Sequence, residues 1–459
     1  MIRRLLLLLA TVAAPLAAQE LPSRAAAWKL VDSLATAFVA GQESPSVAVA
    51  ALRGSDTIAF GAWGLADIEN AVPATPRSVY RVGSVTKQFT SAAVMQLVEQ
   101  GKVKLDESVG SYLPGLPAAW RAVTVRQLLN HTSGIPSYTD LGASWARRWG
   151  EEMTPDTLVA LTANKPVDFA PGTSWKYDNT GYVVLGMLIE RTTGRPWATD
   201  LAERFFKPLG LADTRNCLTQ PLVPHRAAGY QRAGGGWENA TYLAMTQPYS
   251  AGALCSTIGD LTNWNRALHA GKVVSAESYR LMTTPSGPAA TAALKYGFGL
   301  ARDTIGRYAV ITHGGGIHGF ITANTWVPEL QLSVTVLTNS GSARADELLK
   351  QVVRAATGMP IVHAPATVEL TAAQRARYAG TYALALPGGA RDFTVFERDG
   401  QLLAQLAGQG ANPMRFLGND TWGMSFDPQL RIVFEMSGEH AERMTLRQGG
   451  GVFEGTRKP

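Results

Sequence analysis

Gly83-Ser84-Val85-Thr86-Lys87-Gln88-Phe89-Thr90-Ser91-Ala92-Ala93-Val94-Met95-Gln96-Leu97-Val98-Glu99-Gln100-Gly101 is the stretch around which the rest of the chain reads as scaffold. Helix-favouring residues run from Lys87 to Gln100. Phe89, Ala92, Ala93, Gln96 and Leu97 recur at spacings of three and four, the mark of a mostly buried helix face. Gly101 supplies a stop. Ser84 therefore falls at or just before the helix start, and Lys87 lies one turn along the same face. A serine hydroxyl is a weak nucleophile at neutral pH and needs a nearby base. A lysine can help once burial or another cation lowers its pKa from about 10.4. Developing negative charge is also favoured at a helix N-terminus. Ser-x-x-Lys alone is better read as an N-cap serine beside a solvated lysine, so later stretches must decide.

Composition narrows the setting. With 46% hydrophobic and 17% charged residues the chain suits a globular protein rather than a disordered one. Its 459 residues allow one large domain or two to three smaller ones. Met1-Ile2-Arg3-Arg4 is a basic opening, Leu5 to Ala14 an apolar run, and Ala17 and Ala18 are small. Residues 1–20 are expected to be a secretory signal peptide, too short to span a membrane. No other membrane-length apolar run follows, so a periplasmic or secreted protein without a membrane span is expected. The formal net charge of +6 is spread without basic runs, which argues against a nucleic-acid partner. Cys217 and Cys255 are the two cysteines, and in an oxidising compartment an even count favours one disulfide over two buried thiols.

Residues 25–40 read as a first helix. Residues 44–52 and 57–66 form a hairpin turned by Arg53-Gly54-Ser55-Asp56. From Leu105 to about Ala290 the pattern is mostly helix and loop, with a strongly apolar helix at Thr180–Thr192. Strands return at Tyr296–Ala301, Tyr308–His313, Phe320–Trp326 and Leu332–Thr338, and a helix follows at Ala345–Ala356. Both ends of this region therefore build one sheet around a helical lobe, an α/β (α+β) arrangement with an antiparallel sheet flanked by helices. Residues 21–358 form this domain and 359–371 a linker. Residues 372–459 carry short strands, with Asp399-Gly400 as a hairpin turn, and read as a small all-β barrel.

Three pieces stand in order: Ser84-x-x-Lys87, Tyr177-Asp178-Asn179 and His313-Gly314-Gly315-Gly316. Together with Leu128-Leu129-Asn130-His131-Thr132-Ser133-Gly134 and Gly252-Ala253-Leu254-Cys255-Ser256-Thr257, they resemble the penicillin-recognising serine hydrolases. That superfamily includes class C β-lactamases, D,D-carboxypeptidases, D-aminopeptidases and related esterases. The resemblance covers roughly residues 25–357, and the Tyr378-Ala379-Gly380-Thr381-Tyr382 region resembles the β-barrel tail that many such hydrolases carry. It implies a β-lactamase/transpeptidase-like fold and an acyl-enzyme mechanism without metal or other cofactor. Ser84 would be the nucleophile and Lys87 its helix partner. Tyr177 would be the general base, its phenolate favoured by Lys87. Asn179 would hold Lys87 and a polar group of the substrate. The backbone N–H groups of Ser84 and Gly316 would form the oxyanion hole, with Gly315 allowing close approach.

By the resemblance His313, Gly315 and Gly316 would be substrate-binding positions, and His313 departs from the lysine that many members place there to hold a carboxylate. Histidine is largely neutral at pH 7, and Gly314 lacks a threonine's hydroxyl. The expected substrate is thus an ester or a D-amino-acid amide without a free carboxylate, with a small molecule or peptide as the only partner. A β-lactamase or peptidoglycan D,D-carboxypeptidase is the alternative. From another class, a penicillin-binding sensor or pseudoenzyme with little turnover is the rival. His131 in its Thr-Ser-Gly turn reads as a packing residue. The seven histidines are dispersed and His318 stands only five residues past His313, so metal-ligand spacing is not seen.

Overall fold

Val47, Val49 and Ala51 alternate with Ala48 and Ala50 along one strand, and this alternation sorts the main domain into two cores. The computed structural model describes residues 21–233, 236–362, 370–386, 389–398, 400–407, 410–424, 427–448 and 451–459. Strands Ser46–Arg53 and Asp56–Asp67 form the expected hairpin. Ser46–Arg53 also pairs antiparallel with Leu332–Thr338, Val49 opposite Val336. Phe320–Val327, Tyr308–Ile317, Ala301–Ile305 and Lys295–Tyr296 follow, while Val72–Pro73 closes the other edge of an eight-stranded sheet. The N-terminal hairpin and the C-terminal strands thus share one sheet, with residues 105–290 inserted between them.

Period-two alternation sends successive side chains to opposite faces. Val47, Val49 and Ala51 pack with Val31 of helix Arg24–Ala40 and with Leu348, Leu349 and Val352 of helix Ala345–Thr357. Ala48 and Ala50 belong to the other core, with Phe89 of helix Thr86–Glu99, Trp264 of helix Ile258–His269 and Leu185 of helix Asn179–Thr193. The Phe89 ring stacks on Trp264 with centroids 3.8 Å apart. Beyond residue 370, eight antiparallel strands from Gly380–Leu386 to Gly451–Arg457 close into a barrel. Its own core includes Tyr382, Phe393, Trp422 and Ile432.

Several local expectations change. Residues 296–301 do not form one strand: pairing stops at Tyr296 and resumes at Ala301, with Gly299 between them in a left-handed conformation. The strand starting at Tyr308 does not end at His313 but runs on through the glycines to Ile317, paired with Phe320–Val327. Inside the region expected to be mostly helix and loop, Leu254–Ser256 pairs with Tyr80–Arg81 and Arg215–Asn216. The expected disulfide is not formed. Cys217 and Cys255 are buried free thiols, Cys255 on strand Leu254–Ser256 and Cys217 just past strand Arg215–Asn216, and their mutual interaction pushes Cys217's pKa down and Cys255's up. A cysteine count states only that pairing is possible. The expected signal peptide, Asp399 and most of the expected linker lie outside the described residues. Among those described, no helix is long and apolar enough to cross a membrane.

Candidate active site

Ser84 sits in a 3-10 turn, Gly83–Val85, that runs directly into helix Thr86–Glu99. That helix start has no side-chain cap. Ser84 is therefore not spent as an N-cap; its Oγ accepts a hydrogen bond from Lys87 Nζ at 3.2 Å. The turn is tied down on both sides. Thr86 Oγ1 accepts from the Leu254 N–H, and Thr90 Oγ1 donates to the Ser250 carbonyl. These bonds bring residues 250–254 against the helix and place the Ala251 carbonyl on Lys87, 2.8 Å from Nζ.

Lys87 is not solvated but fully buried. Its Nζ also meets Asn179 Oδ1 at 2.7 Å and lies over the Tyr177 ring, 4.7 Å from the centroid. Burial pushes the Lys87 pKa well below the usual lysine range, and the Asp178 carboxylate offsets part of that shift. Two of its three partners, Ala251 O and Asn179 Oδ1, can only accept. In its neutral form the amine would satisfy both with its two N–H groups and turn its lone pair to the Ser84 hydroxyl proton.

Asp178 caps helix Asn179–Thr193, its side chain accepting from the Gly181 N–H. The cap places Tyr177 and Asn179 on either side of the helix entry. Asn179 is clamped by the 131–139 loop: its N–H donates to Ser137 Oγ and its Nδ2 to Thr139 Oγ1. The Tyr177 hydroxyl is buried without a hydrogen-bond partner among the described residues. Burial raises its pKa, and the nearby Ser84 hydroxyl lowers it in part. Catalytic hydrogen bonds are often long before substrate arrives. The effect of burial on Tyr177 disfavours the resting phenolate expected from the sequence.

The third motif does something different from its reading. His313 is 6% exposed and lies outside the lining of the cavity in front of Ser84. Its Nδ1–H donates to the Gly314 carbonyl at 2.6 Å, and its Nε2 accepts from the Tyr296 hydroxyl at 2.7 Å. Burial lowers its pKa to about 3. With both nitrogens engaged, this neutral imidazole buttresses the strand. Gly315 is likewise a packing position: a Cβ there would stand 2.0 Å from the Val82 carbonyl oxygen. Gly316, on the opposite face of the strand, lines the cavity with Ser84. A Cβ on Gly83 would meet the Gly316 nitrogen at 2.9 Å, and Gly83 itself has φ +51°. Glycine at 83 thus brings the backbone beside Ser84 against that beside Gly316.

The cavity, about 120 Å³, is walled by Tyr138, Trp145, Leu243, Ile317 and His318 together with Asn179 and the backbone around Ser84. His318 donates through Nδ1 to the Thr241 carbonyl and meets the Trp149 ring edge-on. The sequence reading passed over Tyr138, Trp145, Leu243 and Ala251. They come from four separate segments, and only Tyr138 has a signal, its closeness to the His-Thr-Ser-Gly turn.

Residues 31–361 match the family Beta-lactamase. The chain belongs to the beta-lactamase family. Within that family of serine hydrolases, it is 27% identical over 432 residues to a penicillin-binding protein of Bacillus subtilis (strain 168), covering 89% of this chain and 94% of that protein. It is 27% identical over 348 residues to a D-aminopeptidase of Gluconobacter oxydans (strain 621H), matching 74% of this chain but only 64% of that longer protein. Among solved structures, a D-stereospecific amidohydrolase from Streptomyces sp. is 31% identical, with a TM-score of 0.63, covering 72% of this chain and 98% of its own. A penicillin-binding protein homologue from Pyrococcus abyssi, 23% identical with a TM-score of 0.65, covers 92% of this beta-lactamase-family chain and 99% of its own, and shares the fold.

Proposed function

We propose that this protein hydrolyses uncharged carboxylic esters, and amides derived from D-amino acids, through an acyl-enzyme on Ser84. The observation that carries the reading is the hydrogen bond from the buried Lys87 to Ser84, with Asn179 and the Ala251 carbonyl fixing the same nitrogen. In acylation, Ser84 Oγ attacks the substrate carbonyl carbon as its proton passes to the Lys87 amine. The carbonyl oxygen takes the negative charge and is held by the N–H groups of Ser84 and Gly316. Collapse breaks the bond to the leaving group, which departs with a proton from the Tyr177 hydroxyl; Lys87 then returns its proton to Tyr177. Water repeats the sequence on the acyl-enzyme, adding OH to the acyl carbon and restoring the Ser84 hydroxyl. Lys87 and Tyr177 act as one coupled pair, and burial favours its neutral form over ammonium and phenolate.

The substrate preference follows from the cavity wall. None of its lining residues is Asp, Glu, Lys or Arg, and His313 offers no charge. A carboxylate or ammonium beside the scissile bond would be desolvated without an opposite charge. Esters and blocked amides avoid that cost. The D-aminopeptidase and D-stereospecific amidohydrolase relatives favour the amide branch. The basic and apolar opening of the sequence supports export to the periplasm or medium.

The test is kcat/KM for p-nitrophenyl acetate, a D-phenylalanine p-nitroanilide with free amine, its N-acetyl form and a chromogenic cephalosporin. Ser84→Ala is the control. The expected order puts the acetate ester first, the blocked amide above the free amine, and the cephalosporin last. Turnover surviving in Ser84→Ala would overturn the mechanism; preference for the cephalosporin would overturn the substrate class.

A further inference from the structure

We propose that Asp178, the middle residue of Tyr177-Asp178-Asn179, is a positioning residue that supplies the buried counter-charge for Lys87 when Lys87 takes the Ser84 proton. The inference rests on Lys87 acting as proton acceptor.

As a helix cap, Asp178 is over-equipped. Its Oδ2 accepts from the Gly181 N–H at 3.0 Å and from Ser133 Oγ at 3.3 Å. A serine or asparagine would cap as well without carrying charge inward. Asp178 is nevertheless 2% exposed, and its Oδ1 is buried with no hydrogen-bond partner among the described residues. A buried carboxylate with an unpaired oxygen is costly unless an opposite charge lies near. The cation that acts on it is Lys87, and Asp178 is in turn the acidic group that acts on Lys87. The two are joined through the chain: the residues flanking Asp178 are the two that touch the lysine, Asn179 by hydrogen bond and Tyr177 by its ring face.

The histidines and tyrosines around this pair are shifted toward their neutral forms. His131 accepts at Nδ1 from the Asp178 N–H, and burial keeps its pKa well below the usual imidazole range. His313 is held down to about 3. Tyr138, Tyr177, Tyr182 and Tyr296 are all pushed above the usual phenol range by burial. Lys176, next in sequence to Tyr177, is engaged with Asp140 and Asp168. Asp178 itself is raised to about 7 by burial, so about half its charge is present at pH 7 and all of it in the alkaline range. When the Ser84 proton arrives on Lys87, Asp178 is the acidic group that acts on the new ammonium. This gives Asp178 the part that an aspartate plays behind a catalytic histidine, acting here through space instead of through a hydrogen bond.

The test is Asp178→Asn, which retains an oxygen for Gly181 and Ser133, with Asp178→Ser as a second, uncharged cap. The rate of p-nitrophenyl acetate hydrolysis is followed from pH 5 to pH 10, with melting temperature as the fold check. Removing the carboxylate lowers the Lys87 pKa, so the ascending limb of kcat/KM moves to lower pH by about one unit or more in both variants. The plateau falls about tenfold, because the ammonium formed in the transition state has lost its partner. A folded variant whose ascending limb superimposes on that of the parent overturns the proposal and leaves Asp178 a cap. Ser84→Ala separates the two levels. If that variant is inactive and the limb does not move, only the role of Asp178 falls. If it retains turnover, the acyl-enzyme reading falls with it.

Discussion

Lys87 shows how much a single residue's meaning depends on its surroundings. Four carbons of stem and an amine fit a solvated surface as readily as an active site. Here the ammonium form is disfavoured because the side chain is fully buried among Tyr177, Tyr182 and Asn179. Tyr177 is shifted in the opposite sense, so burial favours the uncharged form of each group. This division of labour gives a direct prediction. Tyr177→Phe removes the proton donor for the leaving group but not the acceptor for Ser84, and kcat/KM on the D-amino-acid anilide should fall about 10²–10⁴-fold. With p-nitrophenyl acetate, whose leaving group needs no proton, the loss should be much smaller. Equal losses on the two substrates would show that Tyr177, and not Lys87, accepts the Ser84 proton.

At the level of elements, the strand Tyr308–Ile317 carries the most unexpected geometry. Three successive glycines would ordinarily suggest a loop. Their backbones are instead fixed by the ladder to Phe320–Val327, and the missing side chains make room for the turn that holds Ser84. Period-two alternation assigns different duties along the run: Gly315 faces Val82, and Gly316 faces the cavity. Gly315→Ala should therefore lower stability by about 1–3 kcal/mol, as overpacking does, and slow labelling of Ser84 by a fluorophosphonate because the turn is pushed outward. Gly314→Ala is the matched control, since a Cβ there meets only the Thr322 carbonyl oxygen at 3.4 Å. Thermal melts and labelling rates of the two variants should differ clearly; two equally tolerated variants would refute the close packing of Gly315 on Val82.

For the whole molecule, the two faces of one sheet divide the labour. One face packs helices Arg24–Ala40 and Ala345–Thr357 as scaffold, and the other packs the Ser84 helix and the inserted helical lobe. The barrel keeps a third core of its own and contributes no residue to the lining of the Ser84 cavity. Global pH dependence follows from the buried groups. His131, His269 and His313 all have folded pKa values below the usual 6.5, chiefly through burial. As pH falls below 6.5 the unfolded chain takes up protons that the folded chain refuses, so their contribution to stability, intact above 6.5, is lost towards pH 3. Each approaches about 1.4 kcal/mol per pH unit in that window. Asp178, raised to about 7, works in the opposite sense as pH drops from 7 to 4, leaving a net loss led by the histidines. Melting temperature should decline steadily from pH 6.5 to pH 4.5, and a profile flat over that range would contradict these burial assignments.

The sequence by itself determined whatever depends on neighbours along the chain. Ser84 and Lys87 share a helix face because they are three residues apart, Tyr177 and Asn179 flank one helix cap, and alternation in residues 46–67 forces a hairpin. That strands from both ends of the helical insertion share one sheet was also legible, whereas the pairing of residues 46–53 with 332–338 was shown only by the fold. Only the tertiary structure decided matters set by distance in space. His313 read as a substrate contact, since its motif position is local information. Its pairing with Tyr296, seventeen residues earlier, is what turns it into a buttress. The Ala251 carbonyl that fixes Lys87 has no side chain to announce it. Cys217 and Cys255 were correctly read as neighbours, but not as unbonded thiols, because residue counts carry no bond. The charge of Asp178 looks like ordinary helix capping in the sequence and acquires its meaning from a buried lysine 91 positions earlier. Backbone hydrogen bonding and periodicity are short-ranged and therefore written locally; desolvation and Coulomb coupling depend on what the fold brings close.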